Sequence, residues 1–177
     1  MEGLTVRPLN YDIFQTALGW VGIIASELGI QRLSLRPSPQ QVTEELDTHI
    51  SKAIQSEDKL SAFRSKLTAY LSGITSTTDT LQDIPLDLRG TPAFFNAAWV
   101  ACRRIPVGER RSYQWLAQEA GNHKAVRAAG QAMARNPVPL LIPCHRVVGS
   151  SGKLHGFRGG IDLKAKLLQL EHSEHSR

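Results

Sequence analysis

Leu140-Leu141-Ile142-Pro143-Cys144-His145-Arg146-Val147-Val148 is an apolar run that stops at a proline, presents a thiol, an imidazole and a guanidinium in succession, and turns apolar again. The pattern predicts a strand feeding a buried site, because Pro143 removes a backbone donor and ends regular pairing where the reactive groups begin. The competing reading is a strand at the edge of a core, with Cys144 as a small apolar filler, as free cysteines usually are. The stretch alone leaves both open; its flanks decide.

Upstream, Thr91-Pro92 predicts a helix start, with Thr91 as N-cap and proline in the first turn. Phe95, Ala98, Trp99 and Cys102 then share one face, which makes Cys102 a core residue. Ile105 to Glu109 ends that helix. Ser112 caps the next, Tyr113 to Ala120, which Gly121 terminates, and another runs from about residue 124 to 134. Two short helices joined by a tight glycine-bearing turn predict a helix-turn-helix, a weak signal alone because many helical hairpins bind nothing. Ala125, Val126, Ala128, Ala129, Gly130, Ala132 and Ala134 leave the second helix nearly bald around Arg127. Such a helix either presses its backbone against another surface or packs tightly on a neighbouring helix. Lys124, Arg127, Arg135, Arg103, Arg104, Arg110 and Arg111 bracket the hairpin, where they are expected to meet phosphates on both sides of a groove.

Downstream, Gly149 to Gly152 and Leu154 to Gly160 form a glycine-rich loop close to the thiol: a pocket wall with Phe157 as stacking surface, or a flexible turn. A last helix starts at about Ile161-Asp162. Leu163, Leu167 and Leu170 form its core face, Lys164 and Lys166 lie off that face, Glu171 comes near its end, and residues 172–177 are expected to fray.

The N-terminal half reads as paired strands over 11–16, 18–25 and 28–35. Two helices follow, one through Val42, Leu46, Ile50 and Ile54 and one through Leu60, Phe63, Leu67 and Leu71 with Gly73 as stop. A loop is expected over 74–83. His49 reads as solvated surface, and nothing before residue 90 assembles reactive groups, so this half reads as support. The whole chain, 177 residues with 41% hydrophobic and 21% charged residues, has the balance of a soluble globular protein. No apolar run approaches a membrane span, and Met1 to Asn10 lacks a signal-peptide core. With only Cys102 and Cys144, neither a disulfide framework nor a zinc cluster is expected, and a reducing, intracellular setting fits. The net charge of +5 favours polyanions without requiring one.

Taken together, Pro-Cys-His-Arg-Val at 143–147, Ile-Pro-x-Gly-Glu at 105–109, Ser-Tyr-x-x-Leu-Ala at 112–117, Ala-Val-Arg-Ala-x-Gly at 125–130, Asn-Pro at 136–137 and Gly-Phe-Arg-Gly-Gly at 156–160 resemble the O6-alkylguanine-DNA alkyltransferases. Lys164, Leu167, Leu168 and Glu171 match the family's closing helix, and Pro85 to Thr91 its run-in. The resemblance implies an α/β (α+β) protein: a sheet-and-helix support domain over 1–88, then a mainly helical alkyltransferase and DNA-binding domain over 89–177. It implies Cys144 as acceptor, His145 and Glu171 as its proton network, Asn136 as brace of the thiol-bearing turn, and Tyr113 and Arg127 as managers of a flipped nucleotide. Ala125, Ala128, Gly130, Met133 and Arg135 would face DNA or base, as would Phe157, Arg158 and Lys164. The implied partner is alkylated double-stranded DNA, read through the minor groove by a monomer with no cofactor, metal or membrane. The setting would be cytoplasmic and nucleoid-associated in a prokaryote, nuclear in a eukaryote. The family often carries tyrosine where this chain has Phe157, which keeps the ring and removes a hydroxyl.

The chemistry expected is in-line displacement of the alkyl group from O6 of guanine, with O4 of thymine left open, by the Cys144 thiolate. Because thiolate is the nucleophile and an ordinary thiol is mostly protonated at neutral pH, a base is needed. On an extended chain His145 would point away from Cys144, so a bridging water is expected between them. Glu171 would orient the imidazole. The thioether product has no hydrolytic exit, so each molecule should react once. Two rivals stand beside this reading: a cysteine hydrolase using Cys144, His145 and Glu171, and a DNA-binding module without chemistry.

Overall fold

The computed structural model describes residues 8–73 and 81–175, with side chains to 172. The first three strands, β1 (Leu9–Thr16), β2 (Gly19–Ser26) and β3 (Gly29–Arg36), form an antiparallel meander turning at Gly19 and Gly29. Both glycines have positive φ, and a Cβ on Gly29 would fall 2.3 Å from the Pro85 carbonyl oxygen, so only glycine fits there. Helix α1 (Pro39–Ile50) starts at Ser38, whose hydroxyl accepts from Gln41 N. The chain then leaves the helix at Ser51 and β4 (Ala53–Gln55) adds in parallel to β1, giving the order β3-β2-β1-β4. Ile54, expected on the helix, therefore lies on this edge strand and is 55% exposed. Helix α2 (Glu57–Leu71) ends at Ser72 and Gly73. Of the expected loop over 74–83, residues 74–80 lie outside the described residues and 81–83 form a turn.

The sheet is covered on both faces. Val42 and Leu46 of α1 pack on Ile24 and close over Gly22, where a Cβ would sit 2.4 Å from Val42 Cγ1. The opposite face, with Phe14, Val21, Ile23, Leu33 and Leu35, meets α2 and continues into residues beyond 90 as one buried cluster. Buried on both faces, β2 reads as a nearly unbroken apolar run. A backbone bond also joins the halves, Leu33 N donating to Pro137 O at 2.9 Å, while Ile30 bridges Leu86 in the run-in to the second half.

Beyond residue 90 lie α3 (Ala93–Arg103), β5 (Arg111–Ser112), α4 (Tyr113–Glu119), α5 (Val126–Ala134), β6 (Val147–Val148) and α6 (Ile161–His175). Helix α3 begins one residue later than expected, with Pro92 in the cap position and no side-chain cap, while the Thr91 hydroxyl is spent on Leu88 O. Ser112 caps α4 as its sequence predicts, accepting from Trp115 N at 3.1 Å. Gly121 turns the chain at positive φ between α4 and α5, which pack against each other. Trp99 Nε1 donates to Ala132 O at 2.8 Å and so seats α5 on α3. Helix α6 runs through His175, so the expected frayed tail is helical backbone to that point.

Candidate active site

The strand predicted over Leu140–Val148 is corrected: only Val147–Val148 is strand, paired in parallel with Arg111–Ser112. Leu140, 2% exposed, takes the left-handed region at φ 74, and Cys144 to Arg146 form a single 3-10 turn. Cys144 N bonds back to Ile142 O at 2.7 Å and Arg146 N to Pro143 O at 2.9 Å, which curls the chain where an extended strand would run on. A left-handed non-glycine residue costs about 1–2 kcal/mol. Asn136 offsets this from both sides: its Nδ2 donates to Ile142 O at 2.8 Å, and its Oδ1 accepts from Val138 N at 3.0 Å. The alternation argument for the direction of His145 therefore does not apply.

Cys144 is buried at the floor of a hollow lined by Tyr113, Met133, Ala134, Asn136, Pro139 and the Gly156–Arg158 loop. Burial pushes the thiol above its ordinary range, while Asn136 and the Lys164 ammonium pull it back. Beside it, His145 is fully buried and its Nε2 lies 2.8 Å from Glu171 Oε1. Its Nδ1 has no hydrogen-bond partner among the described residues. Burial lowers the imidazole pKa, and Glu171 opposes that shift only in part. Burial alone would raise Glu171; His145 and Arg146 outweigh it and hold the carboxyl well below the usual carboxylate range.

Two members of this network escaped the sequence reading. Arg146 Nη2 donates to Glu171 Oε1 at 2.8 Å and its Nη1 to Ile105 O at 2.6 Å, so the guanidinium is a buried counter-ion. Tyr70, at the end of α2, donates its hydroxyl to the same Glu171 oxygen at 2.5 Å. No signal in the sequence marked Tyr70, whose partner is 101 residues away. Arg146 had one: a cation two residues after a buried thiol needs an anion, and Glu171 was already singled out.

Lys164 requires a correction. Predicted off the core face and toward DNA, it is 1% exposed, and its Nζ donates to Val147 O at 2.7 Å. Positions 164, 167, 168 and 171 follow helical spacing, so the lysine shares the buried face with Leu167, Leu168 and Glu171. Arg103, counted among the phosphate-facing cations, is half-buried and donates to the carbonyls of Leu81, Gln82 and Ile84. Arg104 pairs with Glu119 and Arg111 with Glu109. Cys102 is fully buried core.

The remaining candidates surround the hollow or face outward. Tyr113 is half-buried, edge-on to His155 at 6.1 Å, and burial raises its pKa so that it stays protonated. Phe157 stands edge-on to His145 at 6.5 Å. Arg158 lines the hollow and pairs with Glu45 of α1 at 3.3 Å, which ties the pocket loop to the N-terminal half. Gly159 lets that loop touch α6, since a Cβ would lie 2.3 Å from Leu163 Cδ2. On α5, Ala129 and Ala132 face the core, and Met133, 7% exposed, reaches the hollow. Ala125 occupies the cap position, Ala128 and Gly130 are half-exposed, and the space where a Gly130 Cβ would stand is open. Arg127 is exposed with no ion pair or hydrogen bond among the described residues. Arg135 sits at the helix end over the Phe95 ring, 5.7 Å from its centroid.

Fold and site thus define a class: an α/β protein with a helical C-terminal half that holds a buried cysteine next in sequence to the histidine of a buried His-Glu pair. The sequence model of the 6-O-methylguanine DNA methyltransferase DNA-binding domain matches residues 93–173. A methylated-DNA–protein-cysteine methyltransferase of Methanosarcina acetivorans is 34% identical over 93% of this chain and 99% of its own length. The crystal structure of the Mycobacterium tuberculosis O6-methylguanine methyltransferase superposes with a TM-score of 0.79 at 36% identity, covering 94% of each chain. Its counterpart solved in complex with DNA gives 0.77 at 34% identity, over 93% of this chain and 94% of that one. The chain belongs to the methylated-DNA–protein-cysteine methyltransferase family.

Proposed function

We propose that this protein repairs DNA by direct reversal, moving the alkyl group of O6-alkylguanine onto Cys144 once per molecule. The observation that carries the reading is Cys144 on the floor of an open hollow, with the His145–Glu171 pair behind it and the bare face of α5 alongside.

His145 Nε2 is held by Glu171, which leaves Nδ1 to receive the Cys144 proton through a bridging water. The thiolate attacks the alkyl carbon, the S–C bond forms as the C–O6 bond breaks, and the purine leaves as its anion. Tyr113, protonated at the pocket mouth, donates to the leaving base, and the proton taken by His145 restores the balance. In a duplex the alkylated oxygen is out of reach of a buried thiol, so the nucleotide is flipped out. Helix α5 lies in the minor groove with Ala125, Ala128 and Gly130 against the backbone, and Arg127 fills the space left in the stack. Met133 and Phe157 pack on the flipped base, and Arg135 and Arg158 meet the strand. Residues 89–177 carry this chemistry and 1–88 support it. The protein acts as a monomer on double-stranded DNA, and no helix among the described residues is long and apolar enough to cross a membrane.

Incubation with a duplex containing O6-methylguanine, followed by intact-mass measurement, should show one added methyl on Cys144 and no second turnover. Several product equivalents per protein, or an adduct elsewhere, would overturn the reading. Cys144→Ala should bind the duplex and transfer nothing.

A further inference from the structure

The Glu171 carboxylate carries more donors than its role toward His145 requires. Oε1 lies 2.8 Å from His145 Nε2, 2.8 Å from Arg146 Nη2 and 2.5 Å from the Tyr70 hydroxyl. Arg146 Nε is shared between Oε1 at 3.1 Å and Oε2 at 3.2 Å, the one donor to Oε2 among the described residues. An ionised carboxylate has no hydrogen to give, so the tyrosine is the donor. The Tyr70 oxygen then faces His145 Nε2 at 3.4 Å, too long for a strong bond. Tyr70 and His145 therefore compete for one oxygen. Tyr70 arrives from the last turn of α2, in the N-terminal half of the chain. The ring is 5% exposed in the main hydrophobic cluster, and it lines a small hollow with Leu81, Leu140 and Leu141.

We propose that Tyr70 is a positioning residue for alkyl transfer: by donating to Glu171 Oε1 it weakens the carboxylate's hold on His145 and sets the basicity of the imidazole that serves Cys144. This rests on the function proposed above for Cys144. The charged groups facing the pair are Arg146 on the same turn, Lys164 from α6 and Arg103 from α3, which lines a hollow with Tyr70. Of these, Arg146 bonds Glu171 directly, and Lys164 is committed to Val147 O. Burial keeps the Tyr70 hydroxyl protonated far above neutral pH, so it remains a donor throughout the working range. Removing it frees Oε1 for His145 and favours the imidazolium.

The test uses the full chain as wild type, as Tyr70→Phe and with 3-fluorotyrosine at position 70, a stronger donor of nearly the same shape. Alkylation of Cys144 by iodoacetamide is followed by mass from acid to alkaline pH, with Cys144→Ala as the blank for Cys102. Transfer from O6-methylguanine duplex is followed in parallel. The acid limb of the Cys144 profile should rise by about half a unit to one unit in Tyr70→Phe and fall with fluorotyrosine. Limbs that coincide with wild type, or that move the same way in both, would overturn the proposal, as would slower reaction with an unshifted limb. If Tyr70→Phe does not fold, the near-isosteric fluorotyrosine protein still decides. Because the iodoacetamide profile needs no DNA, a wild-type protein that fails to transfer methyl would instead count against the proposed function.

Discussion

Replacing Glu171 by glutamine keeps the shape of the side chain and removes its charge. Three groups then lose an anion: His145, Tyr70 and the Arg146 guanidinium, which is 4% exposed. His145 and Tyr70 are neutral and lose little. Arg146 keeps its bond to Ile105 O but becomes a buried cation without a counter-ion. Breaking a buried pair from one side costs about 3–5 kcal/mol, mostly the cost of stranding the remaining charge. For a chain of this size each kcal/mol moves Tm by about 2–4 °C, so Glu171→Gln should melt roughly 6–20 °C lower. Thermal unfolding followed by circular dichroism gives the number. The double variant Glu171→Gln with Arg146→Met removes both charges and should recover much of the loss, a coupling of about 0.5–3 kcal/mol. A single variant that loses under about 1 kcal/mol, or a double variant whose effects simply add, would refute the claim that these two charges stabilise the thiol-bearing turn as a pair.

Stability should also fall with acid in two stages. His145 has a folded pKa below its ordinary 6.5, so the unfolded chain takes up that proton first and stability is lost as pH drops below about 6.5. Glu171, depressed from 4.5, adds a second loss below about that pH. Unfolding free energies that stay level between about pH 6.5 and about pH 5 would contradict the first stage, and ones that stay level from about pH 4.5 downward the second. Lys164→Met removes a buried charge near Cys144, so iodoacetamide should report a higher thiol pKa while the salt dependence of duplex binding stays at the wild-type slope; a slope reduced by about one would return Lys164 to the DNA interface. Arg127→Ala should slow repair of duplex DNA far more than reaction with free O6-methylguanine base, since only the duplex needs a nucleotide displaced. Equal slowing of both would remove Arg127 from that role.

Local signals were legible in the sequence wherever a residue's neighbours in the chain determine its environment. The meander between Leu9 and Arg36, the Ser112 cap, the Gly121 turn and the small-residue face of α5 all belong to this kind. So does the motif set that led to the family. The tertiary structure decided whatever depends on which face meets which. Leu140–Val148 read as strand because composition reports burial, but hydrogen bonds to Pro143, Ile142 and Asn136 curl it into a turn. Lys164 read as exposed because lysine usually is, yet the carbonyl of Val147 and the spacing of α6 place it inside. The clearest case is Glu171. Its pairing with His145 was implied by the family resemblance, whereas the donors Arg146 and Tyr70 became visible only once α2, α6 and the 3-10 turn converged. A buried carboxylate must be satisfied by whatever donors packing brings within about 3 Å, and packing joins residues that the chain keeps far apart.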